Sequence, residues 1–311
     1  MLSVIIPAFN EEALIEKTYY TISEILKKAD IDNEIIFVDD GSSDKTYDII
    51  RNLADRERNL CGIHFSRNFG KEAAISAGLE KAKGACAVVM DCDLQHPPEK
   101  IPEMYSLWQQ GYEIVEGIKR SRGTERKLHG WAANAFYSLI SSVVGFDMSN
   151  ASDFKLLDRK VIDALNRIPE KRGFFRAISY WVGFKKTSVE FDVGERSGGI
   201  SKWNTKSLVK YAVSNISAYS AMPMQIVTVL GVIMLAIACI FGVWALVDKI
   251  SGRALEGITT LIIITIFIGS IIMISLGIIG YYVARIYEEI KGRPKYIISS
   301  CCGSENGMKG E

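Results

Sequence analysis

Two stretches of the chain, residues 226–247 and 258–284, contain no charged side chain. About 20 apolar residues carry a helix across a bilayer, so both are long enough to span one. A buried hairpin in a soluble core is the competing reading, but core helices seldom sustain such lengths without charge. The connector "DKISGRALEG" is near neutral, whereas Lys202, Lys206 and Lys210 precede the pair and Arg285, Lys291, Arg293 and Lys295 follow it. Positive residues favour the cytoplasmic side. The expected organisation is a cytoplasmic domain over residues 1–202 and an amphipathic juxtamembrane segment over 203–223. A transmembrane hairpin over 224–285 and a cytoplasmic, partly disordered tail over 286–311 complete it. Such a chain is a multi-pass protein of the inner or plasma membrane. The early apolar run "VIIPAF" is too short for a signal sequence and meets Glu11 and Glu12 at once.

The first 200 residues read differently. Short β-branched runs ("SVIIPA", "EIIFVDDG", "GIHFS", "ACAVVMDCD") alternate with helical stretches, among them "KEAAISAGLEKAKG". That order predicts an α/β domain with a mostly parallel sheet, and such sheets bind ligands at the carboxyl ends of their strands. The net charge of the whole chain is +1, from 37 basic and 36 acidic residues, which gives no support for a nucleic-acid partner. The six cysteines include no C-x-x-C pair, so reduced thiols are expected and neither a zinc site nor a disulfide framework.

Three expected strand ends carry polar groups: Asn10 and Glu11, then Asp39 and Asp40, then Asp91 and Asp93. Each alone reads as an ordinary solvated loop; three at one ligand edge point to a site. In "VVMDCDLQHPPE" the alternation of an extended segment puts Asp91 and Asp93 on one side. Paired carboxylates are hard oxygen donors suited to Mg²⁺ or Mn²⁺, ions that bridge protein carboxylates to substrate phosphates. The chain has no G-x-x-x-x-G-K-[ST] or G-x-G-x-x-G loop, which favours a diphosphate held through a metal.

The ordered strings "VIIPAFNEE", "VDDGSSDKT", "SRNFGKEAAISAGLEKAKG", "VMDCDLQHPPE", "SDFKLLDRKVIDAL" and "ERSGGISKW", followed by paired apolar segments, resemble the family 2 glycosyltransferases. Within them the likeness is to the dolichyl-phosphate-mannose synthase and polyprenyl-phosphate (bactoprenol) glucosyltransferase group. The resemblance implies a GT-A type, Rossmann-like domain with two C-terminal transmembrane helices. It places Pro7, Ala8, Asn10, Glu11, Val38 and Asp40 around the nucleotide, joined by Asp91, Cys92 and Asp93. Asp91, Asp93 and Gln95 match the metal and diphosphate positions. Lys119, Arg120, Arg122, Arg196 and Lys202 match cations that bind phosphates, although Lys119 stands where an arginine is usual, and an ammonium cannot form the bidentate fork of a guanidinium. Arg196, Lys202 and Asp93 join Asp153 as the catalytic set. Asp153 matches the proposed base of the group; an orienting role, or a helix N-cap for the segment after it, are alternatives.

Between the domain and the first apolar stretch, Trp203, Leu208, Tyr211, Ile216 and Tyr219 fall near helical spacing, flanked by Lys206 and Lys210. This suits a helix in the headgroup layer. The activity implied by the resemblance is transfer of a hexose from a nucleotide diphosphate sugar, UDP-glucose rather than a GDP-sugar, to polyprenyl phosphate, with Mg²⁺ or Mn²⁺ as cofactor. A processive polysaccharide synthase would carry Q-x-x-R-W, which is absent. A silent membrane scaffold would have no need of the intact carboxylates and cations. Small residues in "IGS" and "LGIIG" permit helix packing in a homo-oligomer without counting subunits.

Overall fold

The computed structural model describes residues 1–119, 152–168, 175–192 and 257–303, with Ser251 and scattered positions between 229 and 250. By Cα proximity the chain divides into two units, Met1–Leu208 with Pro294–Glu311, and Val209–Arg293.

The first unit is built on an eight-stranded sheet of order β7-β5-β6-β4-β1-β2-β3-β8. Its centre is β1 (Leu2–Ala8), a β-branched run buried on both faces, as a central parallel strand must be. On one side β1 pairs in parallel with β2 (Asn33–Asp39), which pairs in parallel with β3 (Leu60–Phe65). On the other it pairs in parallel with β4 (Cys86–Val89). Beyond β4 the sheet turns mixed: β6 (Lys155–Asp158) is antiparallel to β4 and to β5 (Ile114–Lys119), and β5 is parallel to β7 (Lys186–Phe191). The expected mostly parallel sheet is thus a parallel heart with antiparallel flanks.

Helices α1 (Ile15–Lys28), α2 (Thr46–Ala54) and α4 (Ile101–Gln109) cover the face that carries Leu2, Val4 and Ile6. The other face, with Ile5, Ala87 and Val89, is covered by α3 (Lys71–Lys81), α5 (Arg159–Asn166) and α6 (Phe175–Trp181). The buried residues of α3 are Ala74, Ile75, Ala77, Gly78 and Leu79, with the small ones among them set against the sheet at Gly78. A Cβ added at Gly78 would lie 2.3 Å from Ile5 Cγ2, so the glycine sets how closely α3 approaches β1.

The segment expected as a tail is in part a strand. Strand β8 (Ile298–Gly303) adds antiparallel to β3, with Gly62 opposite Cys302. Ahead of it Tyr296 stacks on Phe65 with ring centroids 4.9 Å apart, Ser66 N donates to Ile297 O at 3.0 Å, and Lys295 Nζ donates to Ile168 O at 3.2 Å. Pairing satisfies the outward backbone groups that β3 would otherwise expose as an edge. Residues 304–311 lie outside the described residues.

In the second unit, α7 (Ile258–Ile290) has 33 residues and contains the window Phe267–Ala284 of mean hydropathy 2.0. It is the one helix among the described residues that is long and apolar enough to cross a membrane. It continues past the expected end at Ala284, through Arg285, Glu288 and Glu289, because a helix at about 1.5 Å per residue outlasts the apolar layer. Of the first expected span only single positions are described, among them Val229, Ile233, Ile240 and Val247, each helical and exposed. The juxtamembrane segment 203–223 lies outside the described residues.

The contact at Gly78 yields a direct test. Gly78→Ala overpacks the α3–β1 seam and is expected to destabilise the domain by about 1–3 kcal/mol; thermal unfolding of the purified chain measures it, and an unchanged midpoint would refute the close approach.

Candidate active site

The loops after β1 and β2 are tied to each other at the ligand edge. Asn10, in the left-handed region at φ 55°, receives the Ser43 N–H on its Oδ1 at 2.9 Å and donates its own N–H to Ser42 Oγ at 2.8 Å. Glu11 N donates to Thr46 Oγ1 at 2.9 Å, and Lys45 N donates to Glu12 Oε2 at 3.0 Å. Asp39, fully buried, accepts from the Ser42 N–H and hydroxyl and from His64 Nδ1. These bonds brace the turn where the resemblance places the nucleotide. Asp40 is turned toward the start of α3: its carboxylate accepts the N–H groups of Phe69 and Gly70, the two residues before the helix, at 2.6 and 2.8 Å. Burial pushes its pKa up, and the two N–H groups offset this only in part.

Pro7 and Val38 are register partners on β1 and β2, one step before Ala8 and Asp39. Ala8 and Val38 are buried among core side chains. Cys92 is buried too, with its carbonyl accepting from Thr18 Oγ1 at 2.7 Å. The Val38 and Cys92 side chains are packed in the core.

β4 stops at Val89, so Asp91 and Asp93 sit in a turn and not in a strand. Leu94 is left-handed at φ 57°, and Asp93 Oδ1 accepts the Gln95 N–H at 3.1 Å. Asp91 N donates to His96 Nδ1 at 3.2 Å; the His96 ring is buried and stacked on Phe154. The strand alternation that would align the two aspartates is broken by this turn. Asp91 faces α3, while Asp93 engages Gln95.

What Asp91 meets is Lys71, in the first turn of α3. Lys71 Nζ lies 2.5 Å from Asp91 Oδ1 and 2.7 Å from Asp153 Oδ2. Arg176, on α6, grips the same Asp153 with two bonds, Nε to Oδ1 at 2.7 Å and a terminal nitrogen to Oδ2 at 2.9 Å. Burial alone would raise Asp153, but the Lys71 and Arg176 charges outweigh it and hold the carboxyl far below the usual range. For Asp91, too, burial opposes ionisation and is outweighed by Lys71 and then His96. Lys71, desolvated but flanked by both carboxylates, is raised. Glu72 behaves oppositely: burial first, then the Asp153 charge, push it up to about 7, although it accepts the Phe175 N–H at 2.8 Å. Asp153 precedes β6, so it is no helix N-cap; α5 is capped by Asp158, which accepts from Lys160 N.

Behind this cluster lies a buried pair. Lys155 and Glu116 face each other across β6 and β5, with Nζ 3.1 Å from Oε1. Ser179 Oγ accepts from Lys155 at 2.8 Å, and the Tyr180 hydroxyl donates to Glu116. Burial pushes Lys155 down while Glu116 pulls it back. Lys71 stood inside a quoted motif but gave no sign of its partners, which come from loops 20 and more than 80 residues on in the chain. Arg176, Glu72, Glu116 and Lys155 carried no sequence signal of a role.

Lys119 ends β5, and its side chain lies outside the described residues, as do Arg120, Arg122, Arg196 and Lys202. Among the described residues no cluster of three or more His, Cys, Asp or Glu side chains forms a cage. The turn nevertheless fits a divalent cation: two carboxylates and an amide are hard donors, and a protein cation already sits on Asp91.

Residues 3–179 match the family described as Glycosyl transferase family 2. The chain belongs to this family. Among its relatives, an uncharacterised glycosyltransferase of Synechocystis sp. is 37% identical over 98% of this chain and 96% of its own length. The SfII prophage-derived bactoprenol glucosyl transferase of Shigella flexneri is 36% identical over 96% of this chain and 97% of its own. A solved structure of similar fold is glucosyl-3-phosphoglycerate synthase from Mycobacterium tuberculosis, determined with Mn²⁺, UDP and glucosyl-3-phosphoglycerate. Its TM-score is 0.51 and its identity 22%, over 70% of this chain and 77% of that one.

The raised Glu72 makes stability depend on pH. Its folded value of about 7 exceeds the ordinary 4.5, so its contribution is complete below 4.5 and is lost as pH rises through 7. Glu72→Gln, which keeps the acceptor for Phe175 N, is expected to flatten that loss and melt about 2–4 °C above the parent at pH 8. Parallel pH-melting curves between pH 4.5 and 8 would contradict the assignment.

Proposed function

We propose that the chain is a membrane-bound, inverting hexosyltransferase that moves glucose from UDP-glucose to the phosphate of a polyprenol, supplying a lipid-linked sugar for the cell envelope. The observation that carries this reading is the bridge Asp91–Lys71–Asp153, which joins the D-x-D turn to the residue the resemblance marks as catalytic. Relatives named bactoprenol glucosyl transferase, aligned over nearly their full length, support the acceptor class.

In the reaction a phosphate oxygen of the acceptor attacks the anomeric carbon from the face opposite the nucleotide. The carbon–oxygen bond to the diphosphate breaks as the new bond forms, and the nucleoside diphosphate leaves with the electron pair. Mg²⁺ or Mn²⁺ bound at Asp91, Asp93 and Gln95 would supply neutralising charge to the departing diphosphate. The protein braces the nucleotide edge through the Asn10 and Glu11 turn and holds Asp153 with Lys71 and Arg176. A phosphate monoester has its second pKa near 6, so about nine-tenths is dianionic at neutral pH and scarcely needs a base. Asp153, paired to two cations, is a poor proton acceptor and a good anchor. Lys119, Arg120, Arg122, Arg196 and Lys202 are assigned to the two phosphate groups by the resemblance. Helix α7 is assigned as one of two membrane spans, with the catalytic unit and C-terminus in the cytoplasm.

Purified chain incubated with polyprenyl phosphate and a panel of UDP- and GDP-sugars is expected to convert UDP-glucose, read by mass spectrometry of the extracted lipid. Asp93→Ala should lower transfer at least about 10²-fold. Undiminished transfer by that variant would remove the metal role, and a lipid product from a GDP-sugar alone would replace the donor.

A further inference from the structure

Lys71 stands where a metal would pull. It starts α3 at a fixed place: Gly70 precedes it at φ 100°, and the Asp40 carboxylate holds the Phe69 and Gly70 N–H groups. From there its ammonium reaches Asp91 Oδ1 at 2.5 Å and Asp153 Oδ2 at 2.7 Å. An ammonium at hydrogen-bond distance from a carboxylate oxygen and a divalent ion bound to that same carboxylate repel each other strongly across a few ångströms. The two cations compete for Asp91.

We propose that Lys71 is a place-holding cation of the D-x-D turn. Without metal it holds Asp91 and Asp153 in place; when a divalent ion binds, it gives up Asp91 and stays on Asp153, leaving its ammonium beside the reacting phosphates. Metal binding and the poise of the charge around Asp153 are thereby linked. This rests on the reading of Asp91 and Asp93 as metal ligands. Asp153 and Arg176 are the second anchor that makes the handover possible, since Lys71 retains a partner after releasing Asp91.

The test is Mn²⁺ binding to the full chain in detergent, followed by calorimetry and by the electron paramagnetic resonance of free Mn²⁺. Lys71→Met removes the competing charge and is expected to tighten Mn²⁺ binding about tenfold while transfer falls. Lys71→Arg keeps the charge and should bind Mn²⁺ like the parent, and Asp93→Ala should bind it weakly. Opposite movement of affinity and turnover in one variant is not what loss of a merely structural lysine produces. If Lys71→Met does not fold, a second measurement uses the parent chain: Mn²⁺ alone should raise the reaction of Lys71 with an amine-directed label severalfold. Unchanged or weaker Mn²⁺ binding in Lys71→Met, with Asp93→Ala still defective, overturns the place-holder and leaves the metal reading standing. Unchanged labelling does the same. A parent chain that binds no Mn²⁺ with or without UDP overturns both.

Discussion

The site depends on where α3 is allowed to lie. Gly78 lets the helix settle against Ile5 of β1, and Asp40, just after β2, receives the N–H groups of Phe69 and Gly70 that lead into its other end. A helix pinned at both ends has no freedom to slide or rotate, so its first side chain is aimed by the sheet. That side chain is Lys71. Asp91, which follows β4, and Asp153, which precedes β6, come from the adjoining strand ends and meet its ammonium. Two carboxylates brought together about 5 Å apart would repel by roughly 3 kcal/mol at an effective dielectric of 20. A shared cation reverses the sign of that interaction, and Arg176 adds a second pair on the Asp153 side. The arrangement of the reactive edge therefore follows in part from helix packing about two turns away.

The order of strands and helices was legible because period-two and helical patterns are local. The central strands are continuous β-branched runs, and the capacity of α7 to span a membrane follows from its length without charge. The D-x-D turn stood out in the sequence by its residue types, but its geometry did not. Alternation applies only while a strand lasts, and β4 ends at Val89, two residues before Asp91. Val38 and Cys92 show a related limit: a motif marks positions, and the side chains at those positions can belong to the core. Lys71, Arg176 and Glu72 were illegible as a set for a different reason. Ion pairs carry no periodicity, and their partners are joined only after the sheet has assembled.

Strand β8 escaped for a third reason. "YIISSCCG" is short, and its polar surroundings suggest a tail, yet β3 leaves a row of backbone groups that only another strand can satisfy along its length. The segment needs little side-chain burial to be stable there. Its anchors are Tyr296 on Phe65, the pairing itself, and Gly303, where φ is 81° and a Cβ would meet Leu60 O at 2.0 Å. The chain thus returns after α7 to the sheet on which it began, and that unit is completed by residues that lie beyond the long apolar helix in sequence.

The same electrostatics decide what Asp153 can do. A general base works best when its pKa lies near the operating pH, because it must first be free and then accept a proton readily. Asp153 meets neither condition, since both its oxygens are engaged by cations and its affinity for protons is depressed. In the proposed reaction the acceptor, a phosphate mostly dianionic at neutral pH, would bring its own nucleophilic oxygen and need positive charge more than a base. A carboxylate that gathers a lysine and an arginine answers that need better than one that removes a proton. Glu72, neighbour to the cluster and raised to about 7, keeps a further negative charge from accumulating there below neutrality. The chemistry asked of this edge is charge placement, and the fold supplies it by half-buried ion pairs whose members come from two helices and two strand ends.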